Sequence, residues 1–277
     1  MTGTDQPTVI LTRHSDVTAA LAEPRCVVPA APALGSGVNG IGWLRSSVSR
    51  FSTGDTHIRR RALVRAALSD VDPTTLRRRA SELTHEPLEL VPVTALAEAL
   101  GIRPPVASLV ATIARGYFPN SDSGAETDVA VDALVTVLNG RYDDATAATI
   151  GILVQAHEAT VGLVVNTLAA YARAEASAPV EAMLAETLRH DPPVRAMRRI
   201  CARPYLDHAA GTLLLLDIAA ANRDPDVFAD PDRFDPYRPD AERHVTLGAG
   251  LRPCPGRDHV TALAAGIIEA VQASTHS

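Results

Sequence analysis

The segment from Leu247 to Gly256 constrains the fold of this chain most strongly, because it places one cysteine in a glycine- and proline-rich loop before a helical pattern. Gly248 and Gly250 permit positive backbone φ angles and a close approach of the loop to a flat ligand. The N-terminus of the following helix favours the thiolate form of Cys254. A cysteine on its own is more often a buried structural thiol, so the interpretation depends on the surrounding loop.

Helical periodicity dominates the remaining sequence. A proline-rich meander precedes the cysteine loop, and two strands are predicted, at Val9–Thr12 and Thr212–Leu216. The chain is therefore predicted to be mainly α with a small β part, and to form a single domain over residues 1–277. The predicted helices span residues 16–23 with Ser15 as N-cap, 56–68, 73–86 with Asp72 as N-cap, 93–101, 105–115, 126–139, 144–172, 179–190 and 256–272.

Composition and charge exclude several classes of protein. The formal net charge of −6 argues against general nucleic-acid binding, and Arg59–Arg61 and Arg77–Arg79 are interpreted as solvated helix faces with acidic neighbours. The three cysteines are widely spaced, which indicates neither a zinc ribbon nor a disulfide framework. No secretory leader is apparent, and polar residues interrupt the apolar stretch at Ile150–Leu168. We expect a cytoplasmic protein that does not span a membrane.

Two further motifs are weak. Gly35–Gly40 matches the dinucleotide-binding pattern G-x-G-x-x-G, but no predicted strand precedes it, so we interpret it as an ordinary loop. His157 and Glu158 begin an H-E-x-x-H pattern, but Val161 occupies the second histidine position, which excludes that type of zinc site.

The cysteine loop resembles the haem-binding loop of the cytochrome P450 superfamily. The family pattern F-G-x-G-x-[HR]-x-C-x-G is met at every fixed position except the first, where Leu247 replaces phenylalanine. The resemblance implies haem b as cofactor, with the thiolate of Cys254 as the ligand of the iron. It also implies that Gly248, Gly250 and Gly256 shape the cofactor-binding loop.

Two other family motifs occur in the expected order. Glu186 and Arg189 form an E-x-x-R pair, and Phe234–Arg238 matches F-x-P-x-R. The resemblance implies that Glu186, Arg189 and Arg238 form a buried charged network that holds the meander behind the haem. The alternative for Glu186 and Arg189 is a surface pair on a helix, worth a few tenths of a kcal/mol.

Haem carries two propionates, and the family supplies several cations for them. The matching residues here are His57, Arg61, Arg199 and Arg252, with Arg198 as an alternative to Arg199. His57 and Arg61 stand at positions i and i+4, so both lie on one face of their helix. Taken alone, these two residues would more often belong to a solvated charged face.

The helix predicted at 144–172 resembles the family helix that carries the pattern A-G-x-E-T above the distal face of the haem. Glu158 matches the acid, but Ala159 replaces the threonine, and Thr160 is rotated about 100° around the helix. Glu158, Thr160 and Ala159 are thus the candidate catalytic positions. Without the hydroxyl, three alternatives remain: substrate or water replaces it, peroxide is used directly, or the iron performs chemistry other than oxygen insertion.

The resemblance covers nearly the whole chain, but the chain is shorter than usual for the family, most clearly between Gly101 and Gly140. This shortening suggests an open distal pocket that is closed by a partner subunit, a second copy in a homo-oligomer, or a large or carrier-bound substrate.

The resemblance implies a haem-thiolate monooxygenase or oxidase acting on a small organic substrate, such as a natural-product biosynthetic intermediate. Electrons would come from a ferredoxin and its reductase, or peroxide would replace them. The alternative is a haem-bound but catalytically silent partner of another biosynthetic enzyme, which the absence of a threonine at Ala159 keeps open.

Overall fold

The computed structural model describes residues 6–31, 39–119, 121, 123–173 and 178–275. The chain forms two compact units. The first, called the sheet unit, comprises Met1–Pro29 and Val165–Cys254, and the second, called the helical unit, comprises Ala30–Val164 and Pro255–Ser277. The single domain predicted over residues 1–277 stays a prediction.

Helices account for most of the described elements. In chain order the elements are β1 (Thr8–Leu11), α1 (His14–Ala22), β2 (Cys26–Val27), α2 (Gly40–Ser47), a 3-10 turn (Ser49–Phe51), α3 (Gly54–Ser69), α4 (Pro73–Glu82), α5 (Val91–Ala99), α6 (Ala107–Arg115), α7 (Ala125–Leu138), α8 (Asp144–Arg173), α9 (Val180–His190), β3 (Ala196–Cys201), β4 (Leu213–Asp217), α10 (Ile218–Ala221), a second 3-10 turn (Ala241–Arg243) and α11 (Arg257–Thr275).

The sheet unit contains four strands in the order β1-β4-β3-β2. β1 is parallel to β4, with Thr8 opposite Leu213, and the other pairs are antiparallel. Val17 and Leu21 of α1 pack with Leu214 and Leu216 of β4 in one buried cluster. The cluster fixes the C-terminal end of α1 against the sheet.

The helical unit is held together by close packing of α4 and α11. A Cβ atom on Gly266 of α11 would overlap the backbone carbonyl of Arg77 in α4, so only glycine permits this approach.

The predicted cap of α4 is confirmed, because the carboxylate of Asp72 accepts a hydrogen bond from the backbone N–H of Thr75 at 2.7 Å. Leu76 and Ala80 are the buried residues of α4.

Several predicted boundaries were wrong. Ser15 is not an N-cap, since α1 begins at His14 and its terminal backbone N–H donates instead to the distant carboxylate of Asp224 at 2.8 Å. α4 ends at Glu82 and not at residue 86. Strands β2 and β3 and helix α2 were not predicted. The loop predicted at Gly35–Gly40 lies largely outside the described residues, because residues 35–38 are not among them.

The two arginine clusters have the acidic neighbours that the sequence predicts. Arg59 and Arg60 both bond to Asp144, at 3.2 and 2.9 Å. The solvated face predicted for this cluster is wrong at Arg60, whose side chain is only 14% exposed and also donates to Ser46 and Ser52. Within α4, Arg78 pairs with Glu82, whereas Arg77 and Arg79 pair with the carboxylates of Glu269 and Glu98.

Helix α8 is the one described helix that is long and apolar enough to cross a membrane by length and composition. Core helices of water-soluble proteins pass the same test. Half of its most apolar window is buried inside the protein.

Candidate functional site

A buried ionic network joins α9 to the meander of the sheet unit. Nε and Nη2 of Arg189 donate to the two carboxylate oxygens of Glu186, at 2.8 and 2.6 Å, and both side chains are fully buried. Nε of Arg238 donates to the same carboxylate at 3.3 Å. The predicted network of Glu186, Arg189 and Arg238 is confirmed, and the surface-pair alternative is wrong.

The network also holds the meander through its backbone. Arg189 donates to the carbonyl oxygens of Pro231 at 2.8 Å and Arg233 at 3.1 Å, and the backbone N–H of Asp235 donates to Glu186 at 2.9 Å. Arg238 donates to carbonyl oxygens of the same segment. A loop without regular hydrogen-bonded structure is thereby fixed by two arginine side chains and one carboxylate.

Asn222 and Thr246 form a second set of hydrogen bonds between α9 and the segment that leads to the cysteine loop. The sequence did not predict it. The fully buried amide of Asn222 donates to Thr246 Oγ1 at 2.7 Å and accepts from the backbone N–H of Val245 at 2.9 Å. Thr246 Oγ1 donates to the carbonyl oxygen of Leu188 in α9 at 2.5 Å. Asn222 lies in a run of turn-forming residues, and only its burial distinguishes it from a solvent-exposed turn asparagine.

The cysteine loop adopts the conformation that its glycines predict. Gly248 and Gly250 have φ angles of +72° and +61°. A Cβ atom on Gly250 would lie only 2.6 Å from the Cα atom of Ala22 at the end of α1. Inside the loop, the backbone N–H of Cys254 donates to the carbonyl oxygen of Leu247 at 2.6 Å.

Burial separates Cys254 from the other two cysteines. Cys26 and Cys201 are buried, whereas Cys254 is half-buried. A structural thiol is expected in the core, and a ligand thiolate must remain accessible to its metal. The exposure of Cys254, in a loop with two glycines in the left-handed region, fits a haem-thiolate loop.

The strand β3 distinguishes the two candidate arginines for the propionates. Arg199 is buried, with 7% of its surface exposed, whereas its neighbour Arg198 faces solvent. Successive side chains of a strand point to opposite faces, so Arg199 shares the buried face of β3 with Cys201. Arg252, in the cysteine loop, is half-buried. The sheet unit therefore contains Cys254, Arg252 and Arg199 among the predicted cofactor residues.

The remaining predicted residues lie in the helical unit. His57 and Arg61 are half-buried on α3, and Nδ1 of His57 donates to the carbonyl oxygen of Ser49 at 3.1 Å, which orients the ring. Gly256 precedes α11, and a Cβ atom there would make only ordinary contact with Leu68. Within this unit, a larger side chain at position 256 would therefore meet no steric clash.

The candidate catalytic positions lie on different faces of α8. Glu158 is exposed and Ala159 is half-buried, whereas Thr160 is fully buried and its hydroxyl has no hydrogen-bond partner among the described residues. Positions 158 and 160 are separated by about 200° around the helix. The hydroxyl of Thr160 therefore does not share a face with the carboxylate of Glu158.

His157 occupies the middle of the buried face of α8. Leu153 and Val164, one turn before and about two turns after it, are almost completely buried. Both ring nitrogens of His157 are buried, and neither has a hydrogen-bond partner in the described part of the chain. A buried polar group without a partner costs about 1–3 kcal/mol.

Burial lowers the pKa of His157 below its ordinary value of 6.5. The negative charges of Glu158 and Glu89 raise this pKa, but by less than burial lowers it. Between the folded and unfolded pKa values the unfolded chain binds more protons, so the free energy of unfolding falls as the pH drops below 6.5.

We expect a His157→Leu variant to gain about 1 kcal/mol of unfolding free energy, measured by urea unfolding at pH 7.5, and more at pH 5.5. The exposed His85→Leu is the control, and an equal pH response of the two variants would contradict the assignment.

The comparisons with known proteins match the part of the chain that contains the cysteine loop. The family model described as Cytochrome P450 matches residues 179–258, the segment that contains α9, the meander and the cysteine loop. The "Putative cytochrome P450 140" of Mycobacterium tuberculosis is 41% identical over 75 residues, which are 26% of this chain and 17% of that protein. Residues 179–258 therefore belong to the cytochrome P450 superfamily.

The P450 fold extends beyond the segment that the family model matches. The crystal structure of P450BioI in complex with an acyl carrier protein has a TM-score of 0.77 at 18% identity, covering 96% of this chain and 84% of that one. Among curated relatives, "Cyclomarin C epoxidase CymV" of Salinispora arenicola is 37% identical over 93 residues, which are 32% of this chain and 23% of that protein. The alignments to these two curated P450s span less than a quarter of either relative.

Proposed function

We propose that this P450 binds haem b through the thiolate of Cys254 and acts as a haem-thiolate oxidoreductase on a small organic substrate. The observation that carries the proposal is the half-buried Cys254 in a loop whose two glycines have left-handed φ angles. When bound, a haem with a cysteinate ligand supplies the capacity to activate oxygen or peroxide.

The residues of the sheet unit support this assignment. Arg199 and Arg252 provide fixed positive charge for the propionates, and guanidinium groups suit bidentate pairing with carboxylates. The network of Glu186, Arg189 and Arg238 holds the meander that precedes the loop. We also assign His57 and Arg61 to the propionates, and Gly256 to the loop, on the family pattern.

We assign Glu158 to proton handling, because its carboxylate is on the exposed face of α8. Ala159 offers no hydroxyl beside it, and Thr160 is buried on another face. Three alternatives follow: substrate or water supplies the hydroxyl, the enzyme uses peroxide in place of a ferredoxin, its reductase and oxygen, or its chemistry is not oxygen insertion.

Two similarities support our proposal for the substrate class. CymV is named as a cyclomarin C epoxidase, and the P450BioI structure contains a fatty acid attached to a carrier protein. We propose a biosynthetic intermediate as substrate, free or carrier-bound, turned over by a cytoplasmic protein. Alternatively, a second copy of the chain covers the distal pocket that the shortened segment between Gly101 and Gly140 leaves open.

The decisive measurement is the spectrum of the dithionite-reduced protein under carbon monoxide. We expect a Soret band at about 450 nm, which reports thiolate ligation, and its loss in Cys254→Ser. Cys201→Ser is the matched control, because it removes a thiol from the core and should keep the band. A protein that binds no haem, or a band that survives in Cys254→Ser, would refute the proposal.

The alternative function is a haem-bound but catalytically silent partner of another biosynthetic enzyme. The observation that favours it is the missing hydroxyl at Ala159. Incubating the haem-loaded protein with candidate substrates, first with ferredoxin, reductase and oxygen and then with peroxide, separates the two functions. Product in either reaction supports the enzyme, and product with reductase and oxygen alone excludes the peroxide-driven version.

A further inference from the structure

Cys26 and Cys201 lie directly opposite each other on the neighbouring strands β2 and β3, although most of the chain separates them in sequence. The backbone N–H of Ala202 donates to the carbonyl oxygen of Arg25 at 2.8 Å, while that of Cys201 donates to Thr212 on the other side of β3. The two cysteines therefore form a non-hydrogen-bonded pair, in which Cα atoms approach to about 4.5 Å. Disulfides span Cα separations from about 4.4 Å upwards.

Both thiols point into the same buried cluster of the sheet unit. Cys26 is 6% exposed and Cys201 is fully buried, and they pack with Leu214 and Tyr205. Burial is the main cause that raises the pKa of Cys26 to about 11, and the neighbouring thiol of Cys201 adds to it. The Cys26 thiol is therefore protonated at neutral pH, and it lies within hydrogen-bonding reach of the Cys201 thiol.

We propose that Cys26 and Cys201 are a redox-modification site, at which hydrogen peroxide converts the two thiols into a cross-strand disulfide. One thiolate attacks a peroxide oxygen, which gives a sulfenic acid and water after protonation. The second thiol then attacks the sulfenic sulfur, forms the S–S bond and releases a second water. Two thiols are oxidised, one peroxide is reduced, and a dithiol reductant reverses the change.

The position of β2 gives the oxidant access. β2 has two residues and stands at the edge of the sheet, where its described strand partner is β3. A short edge strand opens at small cost compared with global unfolding, and its opening uncovers both thiols. The disulfide would then fix β2, and with it the end of α1 at Ala22, on which Gly250 of the cysteine loop rests.

The test is peptide mapping of the full-length protein after treatment with hydrogen peroxide, with free thiols blocked before digestion. Arginines separate the three cysteines, so trypsin places each in a different peptide. We expect one cross-link, between the peptides that contain Cys26 and Cys201, a loss of two hydrogens in intact mass, and full reversal by dithiothreitol. The oxidised protein should unfold at a higher urea concentration than the reduced protein.

Single variants make the assignment specific. Cys26→Ser and Cys201→Ser should each abolish the cross-link, and Cys254→Ser should retain it. The proposal does not depend on haem, so it can fail while the haem assignment stands. It is overturned if Cys26 and Cys201 remain reduced while Cys254 is oxidised, or if they are converted to sulfinic acids without a cross-link.

Discussion

An Arg189→Met variant is expected to lose about 3–5 kcal/mol of unfolding free energy. It leaves the carboxylate of Glu186 buried without the guanidinium charge and the two hydrogen bonds that Arg189 supplies. Arg189 and Glu186 are both fully buried. The variant also removes the donor to three backbone carbonyl oxygens, those of Asn222, Pro231 and Arg233. Urea unfolding followed by circular dichroism measures the loss.

The matched control is Arg195→Met, which removes the same charge from an exposed pair. Arg195 lies 3.3 Å from Asp191, and 69% of its side chain is exposed. Exposed pairs contribute less than about 1 kcal/mol. A double variant, Glu186→Leu with Arg189→Met, should lose less than the sum of its single changes, because it leaves no unpaired buried charge. Equal losses in Arg189→Met and Arg195→Met would contradict a buried network.

A Gly250→Ala variant is expected to destabilise the sheet unit by about 2–4 kcal/mol. The positive φ angle of +61° costs an alanine about 1 kcal/mol, and overpacking costs a further 1–3 kcal/mol, roughly. The new Cβ would lie 2.6–2.8 Å from backbone atoms of Leu21 and Ala22, which cannot move aside as a flexible side chain would. The cysteine loop and the end of α1 must therefore separate.

The control for backbone strain alone is Gly211→Ala in the same unit. Gly211 has a φ angle of +87°, and a Cβ atom there would have no neighbour within 4 Å. This variant should lose about 1 kcal/mol. If both variants lose the same amount in urea unfolding, the contact of Gly250 with α1 does not contribute. In Gly250→Ala we also expect weaker haem retention, measured by transfer of haem to apomyoglobin.

The network around Arg189 could be predicted only through the family resemblance, because local spacing alone also allows a surface pair and does not point to Arg238. The conformation of the cysteine loop could be predicted from the glycines that it contains. An E-x-x-R pair places two side chains on one face of a helix, and glycines at fixed positions permit the positive φ angles of the loop. The long helices were predicted for a related reason, since a period of 3.6 residues persists over many turns.

The edge strand β2, the strand β3 and the pairing of Cys26 with Cys201 could not be predicted, because they depend on partners distant in sequence. β3 contains two consecutive arginines and lacks a clean alternation of apolar and polar residues. His157 is a further example, since a histidine between Ala156 and Glu158 gives no sign that its ring nitrogens are buried without partners among the described residues. In these cases tertiary packing decides the structure.

The pairing of β1 with β4 sets the order in which this chain can fold during synthesis. Thr8 lies opposite Leu213, so β1 cannot pair with β4, its strand partner among the described residues, until more than two hundred further residues have left the ribosome. At 5–20 residues per second this takes roughly 10–40 s. Gly250 rests on the end of α1, so the cysteine loop reaches its contact later still. The helices between residues 40 and 164 are synthesised before either event, which makes the first strand a late addition to the sheet.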